Sequence, residues 1–327
     1  MRWRGMDGHC DIVIIGGGMA GLSAATALAA SGRRIIVLDK GRGPGGRMAA
    51  RRVEIAGNTV SFDHGAQFFT ARDPAFRNVV SAWEAAGVAS RWPAAGDDAW
   101  VGMPGMNAPI RAMAETLDMR WGVRAETLSR TAEGWRIEAG EQVFTAATVL
   151  VAVPAEQAVV LLTEAAPNLA ALAAGVISAP CWAVMAGFAA PLALASDIFR
   201  SDSASVSWAA RNSAKPGRSG TENWVIHASP ARSLELVDRP KDEVAHILLA
   251  DFFAAAKVAP AVPQHLDAHR WLYAMPQALR GEHAWFDPAL RIGIAGDWLH
   301  SPRIEGAWLS GRALAEAVLQ ERVASTS

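Results

Sequence analysis

The stretch from Asp11 to Lys40 most strongly constrains the fold, because it reads as strand, glycine turn, helix and strand in succession. Ile12–Ile15 and Ile35–Leu38 are short apolar runs, as expected for strands buried on both faces of a parallel sheet. Between them Met19–Ala30 is rich in Ala and Leu, and predicts a helix that ends at Gly32. This order predicts a βαβ unit of an α/β domain.

Three glycines follow the first strand with the spacing G-x-G-x-x-G. In dinucleotide-binding units the first makes a tight turn, the second admits a pyrophosphate, and the third lets helix and strand pack closely. Asp39 lies 23 residues after Gly16, where its carboxylate can accept hydrogen bonds from ribose hydroxyls. The alternative is an ordinary βαβ unit without a nucleotide. The residues predicted to hold a dinucleotide here are Gly16, Gly18, Met19, Ala20, Gly21, Asp39 and Lys40.

The composition excludes several classes of function. With 327 residues, 51% hydrophobic and 19% charged, the chain is globular and long enough for one large or two closely joined domains. A net charge of −1 provides no electrostatic basis for binding nucleic acid or an anionic membrane. The two cysteines, Cys10 and Cys181, form no C-x-x-C pair, so we expect no metal site, no disulfide and a reducing, cytoplasmic location.

One stretch, Ala165–Ser196, lacks charged residues and is long enough to cross a bilayer. Three prolines interrupt it and acidic residues flank it, so we expect a helix followed by a buried strand, Trp182–Phe188. Near the N-terminus, Asp7, His9 and Asp11 interrupt any apolar run. The sequence therefore predicts neither a membrane span nor a signal peptide.

A second glycine-rich run, Gly41–Gly46, also fits G-x-G-x-x-G, but Pro44 lies inside it and no apolar helix follows. We expect a flexible loop whose backbone N–H groups close over the same diphosphate together with Arg47, a permanently charged donor. A surface loop with incidental glycines is the alternative.

The middle of the chain predicts a hairpin, a small antiparallel sheet and then a second domain. Val53–Phe62 predicts the hairpin, with Gly57-Asn58 at its turn. The small sheet is predicted from Trp121–Leu128, Gly134–Glu138 and Gln142–Phe144, and Thr148–Val153 is a further strand. Helices are predicted over Pro74–Ala86, Pro104–Leu117, Glu156–Thr163 and Asp242–Lys257. The strands predicted for the second domain are Trp182–Phe188, Val206–Ala210 and Trp224–Ala228.

The end of the chain returns to the first pattern. Leu290–Ala295 predicts a strand, Gly296-Asp297 follows it, and Gly306–Glu321 predicts a long helix. Asp297 can bind a ribitol hydroxyl, and the helix start can direct N–H groups at the flavin N1 and C2 carbonyl, where charge collects on reduction. We therefore predict an α/β fold with a discontinuous, Rossmann-like FAD-binding domain (1–70, 101–155 and 277–327). The second is an α+β substrate domain on a mostly antiparallel sheet (71–100 and 156–276).

Taken together, these motifs resemble the flavin amine oxidase superfamily. The resemblance rests on the glycine turn with Asp39, on GGRM at Gly45–Met48, and on Gly296-Asp297 with EGAWLSG at Glu305–Gly311. Five further segments resemble its bacterial renalase branch: HGAQFFTARD (His64–Asp73), VGMPGM (Val101–Met106), WAARNSAKP (Trp208–Pro216), WVIHAS (Trp224–Ser229) and HRWLYAMP (His269–Pro276).

The resemblance implies an oxidase with non-covalent FAD. Such an enzyme oxidises 2- and 6-dihydro isomers of NAD(P)H and passes the electrons to oxygen, giving hydrogen peroxide. Its partners are then a dihydronicotinamide dinucleotide and oxygen, with no nucleic acid and no membrane. The further cofactor contacts that it implies are Arg42, Gly46, Arg47, Met48, His64, Gly65, Ala66, Gln67, Val123, Gly296, Asp297, Glu305, Gly306 and Ala307.

Residues of the second domain are the candidates for orienting a carboxamide or a ribose. They are Arg211, Asn212, His227, His269 and Tyr273, and Trp298 can line the cavity. For each, a structural hydrogen bond or a core position is the alternative.

Amine oxidases of the superfamily often hold a lysine that is bridged by water to the flavin N5. Here Lys40 lies beside the ribose acid, and Lys215, Lys241 and Lys257 fall at loop or helix positions, which argues against amine oxidation. Two alternatives stay open: an amine or other small-molecule oxidase of the same fold, and a nucleotide-binding protein without turnover.

Overall fold

The computed structural model describes residues 9–220, 222–279 and 281–325; Asp7, used above to argue against a signal peptide, lies outside them. The strands are β1 His9–Ile15, β2 Ile35–Asp39, β3 Arg51–Ile55, β4 Asn58–Phe62, β5 Phe69–Thr70, β6 Ala89–Arg91, β7 Ala99–Gly102, β8 Asp118–Trp121, β9 Thr127–Thr131, β10 Gly134–Ala139, β11 Gln142–Val151, β12 Ser178–Phe188, β13 Ile198–Arg200, β14 Val206–Arg211, β15 Glu222–Ala228, β16 His265–Pro276, β17 Ala284–Asp287 and β18 Ile292–Ala295. The α-helices are α1 Met19–Ala29, α2 Pro74–Ala85, α3 Ala108–Ala114, α4 Ala155–Leu162, α5 Pro167–Ala174, α6 Pro230–Glu235, α7 Lys241–Ala256 and α8 Ile304–Ser325.

The chain forms two compact units, each discontinuous in sequence. The first comprises residues up to 46, 110–177 and those from 276 on, and the second comprises 47–109 and 178–275. Compared with the predicted domains, 47–70 and 101–109 move to the second unit, and 156–177 and 276 move to the first. The reason is packing: α4 and α5 contribute to the core of the first sheet, whereas β3 and β4 pack on strands of the second.

The first unit contains the parallel sheet that the sequence predicts. Five strands pair in parallel in the order β18-β11-β1-β2-β8, and β17 joins antiparallel at one edge. β9 and β10 form an antiparallel extension on β11. The turn after β1 and Asp39 at the end of β2 therefore lie at the same carboxyl edge of the sheet, where doubly wound folds bind ligands.

The second unit is built on a five-stranded sheet in the order β13-β14-β15-β12-β16, and its first four strands pair antiparallel in that order. One face packs against α7 in a core that includes Trp182, Val184, Trp224, Ile226, Leu248 and Phe252. Because side chains alternate along a strand, the intervening residues point to the opposite face. There, Met185 and Val225 pack with Val60 and Phe62 of β4.

The hairpin turn and three predicted strands differ from the observed structure, and the helix predicted over 104–117 spans only Ala108–Ala114. The hairpin turn is Ala56-Gly57, both with positive φ (49° and 78°), so Asn58 pairs with Ile55 instead of lying in the turn. The two predicted strands at 142–144 and 148–153 are the single strand β11. The start of the predicted strand at 121–128 belongs to β8, which pairs in parallel with β2 instead of joining an antiparallel sheet.

Ala165–Ser196 forms α5 followed by β12, so the predicted helix and buried strand are confirmed. Within the described residues, no helix combines the length and the apolar composition needed to cross a bilayer.

Candidate functional site

The glycine turn between β1 and α1 is the first candidate region, and its three glycines have different surroundings. Gly16 has φ +112°, which side chains rarely adopt, and a Cβ there would overlap the carbonyl oxygen of Ala152. A Cβ on Gly21 would overlap the carbonyl oxygen of Gly16. A Cβ on Gly18 would meet no atom within 4 Å. Gly16 and Gly21 therefore serve the packing of the turn, and Gly18 is where a ligand can approach the backbone.

Asp39 holds this turn in place. Its Oδ2 accepts a hydrogen bond from Gly17 N at 2.6 Å, and its Oδ1 accepts one from Gly41 N at 2.6 Å. Burial raises the pKa of the Asp39 carboxyl, and the two amide donors oppose that rise. Each carboxylate oxygen keeps a further lone pair, so the group can still accept a ribose hydroxyl. The sequence predicts the ligand role but not the structural one.

The surroundings of the turn fit the ribose and diphosphate of a dinucleotide. The N-cap of α1, Gly18, provides no side-chain cap, and the first turn contains no acidic residue that would repel an anion. The loop Gly41–Gly46 returns to this point, since a Cβ on Gly46 would lie 3.7 Å from the Gly18 Cα. The closure of the loop over a diphosphate stays a prediction.

The remaining predicted contacts near β2 differ in their hydrogen bonds and exposure. Val123 N donates to the carbonyl oxygen of Asp39 at 2.9 Å, which fixes the backbone beside the acid. The Lys40 ammonium donates to Gln157 Oε1 at 2.8 Å. Arg42 is exposed. The contacts of Lys40, Arg42 and Val123 with a cofactor stay predictions.

The late motif is held together by close packing around its two glycines. A Cβ on Gly296 would overlap the Trp298 indole, and one on Gly306 would overlap the backbone of Ser301. The close approach predicted at Gly306 is therefore to the turn that precedes α8. Asp297, Glu305 and Ala307 are all buried there.

Trp298 is a core residue, which corrects its prediction as a cavity residue. Its side chain is 1% exposed, lies in the core of the first unit, and donates from Nε1 to the carbonyl oxygen of Val153 at 3.1 Å.

The second candidate region lies on the face of the five-stranded sheet opposite α7. It carries Trp208, His227, His269, Trp271 and Tyr273, which we call the aromatic face. Burial, and then the charge of Lys215, lowers the pKa of His227 to about 4. Burial, and then Arg51, lowers the pKa of His269 to about 4. Both imidazoles are therefore neutral at pH 7.

The segment Asp63–Gln67 lies on this face. The His64 ring stacks on Trp271 with 5.2 Å between ring centroids, and Trp271 Nε1 donates to the carbonyl oxygen of His64 at 2.9 Å. Burial, and then His269 and Arg51, lowers the pKa of His64 to about 3. The segment thus presents a neutral, buried imidazole.

Backbone contacts fix the middle of the same segment. Ala66 N donates to the carbonyl oxygen of Arg47 at 2.8 Å, and a Cβ on Gly65 would overlap that oxygen. Arg47 Nη1 donates to Ala274 O at 3.4 Å, and Met48 is buried. Gly65 is therefore required by the chain itself, whatever its role toward a ligand.

The functional cluster that the sequence does not predict is formed by Asp63, Lys215 and Arg218. All three side chains are 0% exposed, with Asp63 Oδ2 lying 3.2 Å from Lys215 Nζ and 2.6 Å from Arg218 Nη2. Lys215 Nζ also donates to Gln67 Oε1 at 3.0 Å. Lys215 lies in a loop, as predicted, but its side chain is buried. The signal in the sequence is two cations in the short run Lys215–Arg218, but charged residues in loops are usually exposed.

Two predicted substrate residues have structural partners instead. Arg211 forms ion pairs with Asp197 at 2.5 Å and with Glu222 at 3.1 Å. Asn212 is 0% exposed, accepts from Asp63 N at 3.2 Å and donates to the carbonyl oxygen of Ser61 at 2.6 Å. The structural alternative is therefore the one that these contacts favour, which corrects both predictions. His227, His269 and Tyr273 remain on the aromatic face.

The chain matches two family profiles that together span most of its length. The profile of NAD(P)-binding Rossmann-like domains matches residues 14–83, and that of flavin containing amine oxidoreductases matches residues 90–319, more than two thirds of the chain. A candidate protoporphyrinogen oxidase from Exiguobacterium sp. 255-15 is 15% identical with a TM-score of 0.76. Wild-type putrescine oxidase bound to putrescine is 14% identical with a TM-score of 0.70. Cyclohexylamine oxidase from Brevibacterium oxydans IH-35A is 13% identical with a TM-score of 0.62. Each alignment covers 95% of this chain and 99% of the other, and at these identities the likeness shows the fold alone.

Proposed function

Because the chain belongs to the flavin-containing amine oxidoreductase family, we propose that it is an oxidase of the renalase type, acting on 2- and 6-dihydro isomers of NAD(P)H. The cofactor is non-covalent FAD. Bound FAD supplies the acceptor of the hydride at N5, and oxygen takes up the two electrons as hydrogen peroxide. The part of the chain is to bind and align the dihydronicotinamide, because hydride transfer requires alignment and no general base.

The charge of the aromatic face is the observation that carries this proposal. In the described part of this face and of the Asp63–Gln67 segment, the carboxylates are Asp63 and Asp267. Asp267 is bound by Arg51 at 2.6 Å and by Lys241 at 2.8 Å, and Asp63 has its own two cations. A protonated amine therefore finds no unpaired carboxylate there, whereas a dihydronicotinamide ring carries no charge that would need one.

Two buried polar atoms support a carboxamide as the bound group. His64 Nδ1 and Trp208 Nε1 have no hydrogen-bond partner among the described residues. His64 is neutral, so its imidazole carries one donor and one acceptor nitrogen, while the Trp208 indole N–H is a donor. A primary carboxamide provides one N–H donor and one carbonyl acceptor for such atoms.

The segments that resemble the renalase branch also favour this substrate. Four of them contribute directly to the region described above: His64–Asp73 contains most of the segment on the aromatic face, and Trp208–Pro216, Trp224–Ser229 and His269–Pro276 contribute β14, β15 and β16. The resemblance is therefore concentrated in the residues proposed to contact substrate.

Amine oxidation is the second candidate, and one observation favours it. Lys215 is fully buried beside Gln67, so the chain does contain an internal lysine of the kind that amine oxidases of the superfamily use. The argument against amine oxidation from the positions of the lysines is therefore withdrawn, and the argument from the carboxylates remains.

Anaerobic stopped-flow mixing separates the two candidates. We expect rapid bleaching of the flavin absorbance by 2- and 6-dihydro isomers of NAD(P)H. NADH, with its hydride on C4, and benzylamine or a polyamine should bleach it slowly, because a misplaced hydride loses alignment. Bleaching by an amine at a comparable rate would favour the second candidate, and bleaching by no donor would refute both.

A further inference from the structure

The cluster of Asp63, Lys215 and Arg218 contains more positive than negative charge. Two cations meet one carboxylate, and all three side chains are fully buried. Asp63 Oδ1 also accepts from Met106 N at 2.9 Å, and Arg218 Nη1 donates to the carbonyl oxygen of Gly102 at 2.6 Å. Asp63 and Arg218 therefore have further hydrogen-bond partners in the backbone, but one of the two positive charges has no balancing carboxylate in the cluster.

The unbalanced positive charge indicates that Lys215 is not there to stabilise the folded state. Removing charges from water is costly, and replacing a buried ionic group by an apolar one is often neutral or stabilising. Burial lowers the pKa of Lys215 to about 8, a change that Asp63 opposes and Arg218 reinforces. For Asp63, burial acts to raise the pKa, but Lys215 and Arg218 outweigh it and lower the value. Lys215 is thus the member of the cluster whose charge is most costly.

What Lys215 holds is the end of the segment on the aromatic face. Its ammonium donates to Gln67 Oε1 at 3.0 Å, while Gln67 Nε2 donates to the carbonyl oxygens of Asp63 at 2.5 Å and of Gly65 at 3.0 Å. Gln67 Nε2 also lies 3.4 Å from His227 Nε2. The amide orientation of Gln67, and with it the carbonyl of Gly65, therefore depends on Lys215.

We propose that Lys215 and Arg218 are positioning residues of this flavoenzyme, which fix the Asp63–Gln67 segment through Asp63 and Gln67. The proposal rests on the predicted contact of that segment with FAD, and it is independent of which substrate is oxidised. Arg218 fixes one end of the segment through the Asp63 carboxylate, and Lys215 fixes both ends.

The protonation of Lys215 makes the position of the Asp63–Gln67 segment depend on pH. The charged or titratable groups that face Lys215 are Asp63, Arg218 and His227, and the ring of Trp92 lies 5.2 Å from its ammonium. With His227 neutral above pH 5, Lys215 is the group among these that changes charge near pH 8. Loss of its proton replaces charge-assisted hydrogen bonds by neutral ones, which are about half as strong. We therefore expect the segment to loosen above pH 8.

The effect on folding has the opposite sign. The folded state holds the Lys215 proton less tightly than the unfolded state does, where the pKa is near 10.5. The unfolded state therefore binds more protons between pH 8 and 10.5, and this group makes the protein more stable as pH rises through that window. At pH 7 the full penalty of the buried charge is present, so Lys215→Met should be at least as stable as the parent.

The experiment compares Lys215→Met and Lys215→Arg with Lys257→Met, the matched control at an exposed position after α7. Urea unfolding at pH 7 measures stability, and visible absorbance and circular dichroism of bound FAD report the site between pH 6.5 and 9.5. We expect Lys215→Met to unfold at or above the parent's urea midpoint, to bind FAD about tenfold more weakly, and to lack a spectral transition near pH 8. Lys215→Arg should keep the low-pH spectrum without the transition.

Two outcomes would overturn the proposal. A Lys215→Met variant with the parent's FAD affinity and pH-dependent spectrum would show that Lys215 positions nothing. A Lys215→Met variant that is unfolded or clearly less stable at pH 7 would make the lysine a structural residue. Because none of these readouts uses a substrate, a wrong substrate assignment leaves the test unaffected.

Discussion

The glycine turn of the first unit and the Asp63–Gln67 segment of the second are held by different forces. In the turn, Gly16 and Gly21 are required because a Cβ would overlap backbone atoms, and Asp39 accepts a hydrogen bond from an amide only 22 residues away. In the segment, the carboxylate of Asp63 binds cations 152 and 155 residues away in the chain. Excluded volume and short-range backbone bonds are visible in residue type and spacing, whereas a long-range buried ion pair is not.

The two regions also differ in what a substitution should do. A change in the turn alters packing or opens space beside the ligand, which costs a moderate amount of free energy. A change at Asp63 leaves two cations without their carboxylate in a site closed to water, which is more costly. Four sets of variants test this difference, beginning with the largest expected effect.

Asp63→Asn should lower the free energy of unfolding by about 3–5 kcal/mol, because it leaves Lys215 and Arg218 buried and uncompensated. Urea unfolding followed by tryptophan fluorescence measures the loss. The matched control is Asp197→Asn, whose carboxylate is 37% exposed and pairs with Arg211. Removing that half-exposed ion pair should lower the free energy of unfolding by only about 0–1 kcal/mol. Equal losses in the two variants would refute the contrast.

A double variant tests whether Asp63 and Lys215 interact directly. Adding Lys215→Met to Asp63→Asn removes one of the two uncompensated cations. Lys215→Met should therefore raise stability more in the Asp63→Asn background than in the parent, a non-additive result expected for residues in direct contact. Strictly additive losses would mean that the two side chains do not interact as the geometry indicates.

In the turn, Gly21→Ala and Gly18→Ala should separate packing from ligand binding. The Cβ of Gly21→Ala overlaps the carbonyl oxygen of Gly16, so we expect a loss of about 1–3 kcal/mol in the unfolding free energy of the apoprotein. Gly18→Ala meets no atom, so apoprotein stability should stay within about 0.5 kcal/mol, while FAD binding weakens. A Gly18→Ala protein with unchanged FAD affinity would remove Gly18 from the site.

Asp39→Ala tests the acid at the end of β2, which also holds the glycine turn. It removes a ribose acceptor and the partner of two backbone amides, and should cost about 1–3 kcal/mol of FAD affinity, measured by titration of the apoprotein. Asp118→Ala, an exposed carboxylate on the neighbouring strand β8, is the control and should bind FAD as the parent does. If Asp39→Ala retains full affinity, the strand-end acid has been misassigned.

Much of the first unit was predictable because its determinants are local. Apolar runs, three glycines at fixed spacing and an acid after the second strand define the turn, and each lies where the pattern places it. The domain boundaries were less predictable, because α4 and α5 are apolar helices, and their sequences do not show which of the two sheets they pack against. The hairpin turn was displaced by one residue because Ala56 accepts a positive φ that the sequence pattern assigns to Gly57-Asn58.

By itself, the sequence determined the βαβ unit, the flavoenzyme family and the candidates His227, His269 and Tyr273 on strands of the second unit. Only the tertiary structure decided which polar residues are free to act: it placed Arg211 in ion pairs, Asn212 in backbone hydrogen bonds and Lys215 in a sealed ionic cluster. The physical reason is that residue type and spacing report local conformation and excluded volume. Partners of buried side chains depend on how segments fold onto one another: those of Asn212 and Lys215 lie 151 and 152 residues away, and those of Arg211 lie on other segments of the second unit.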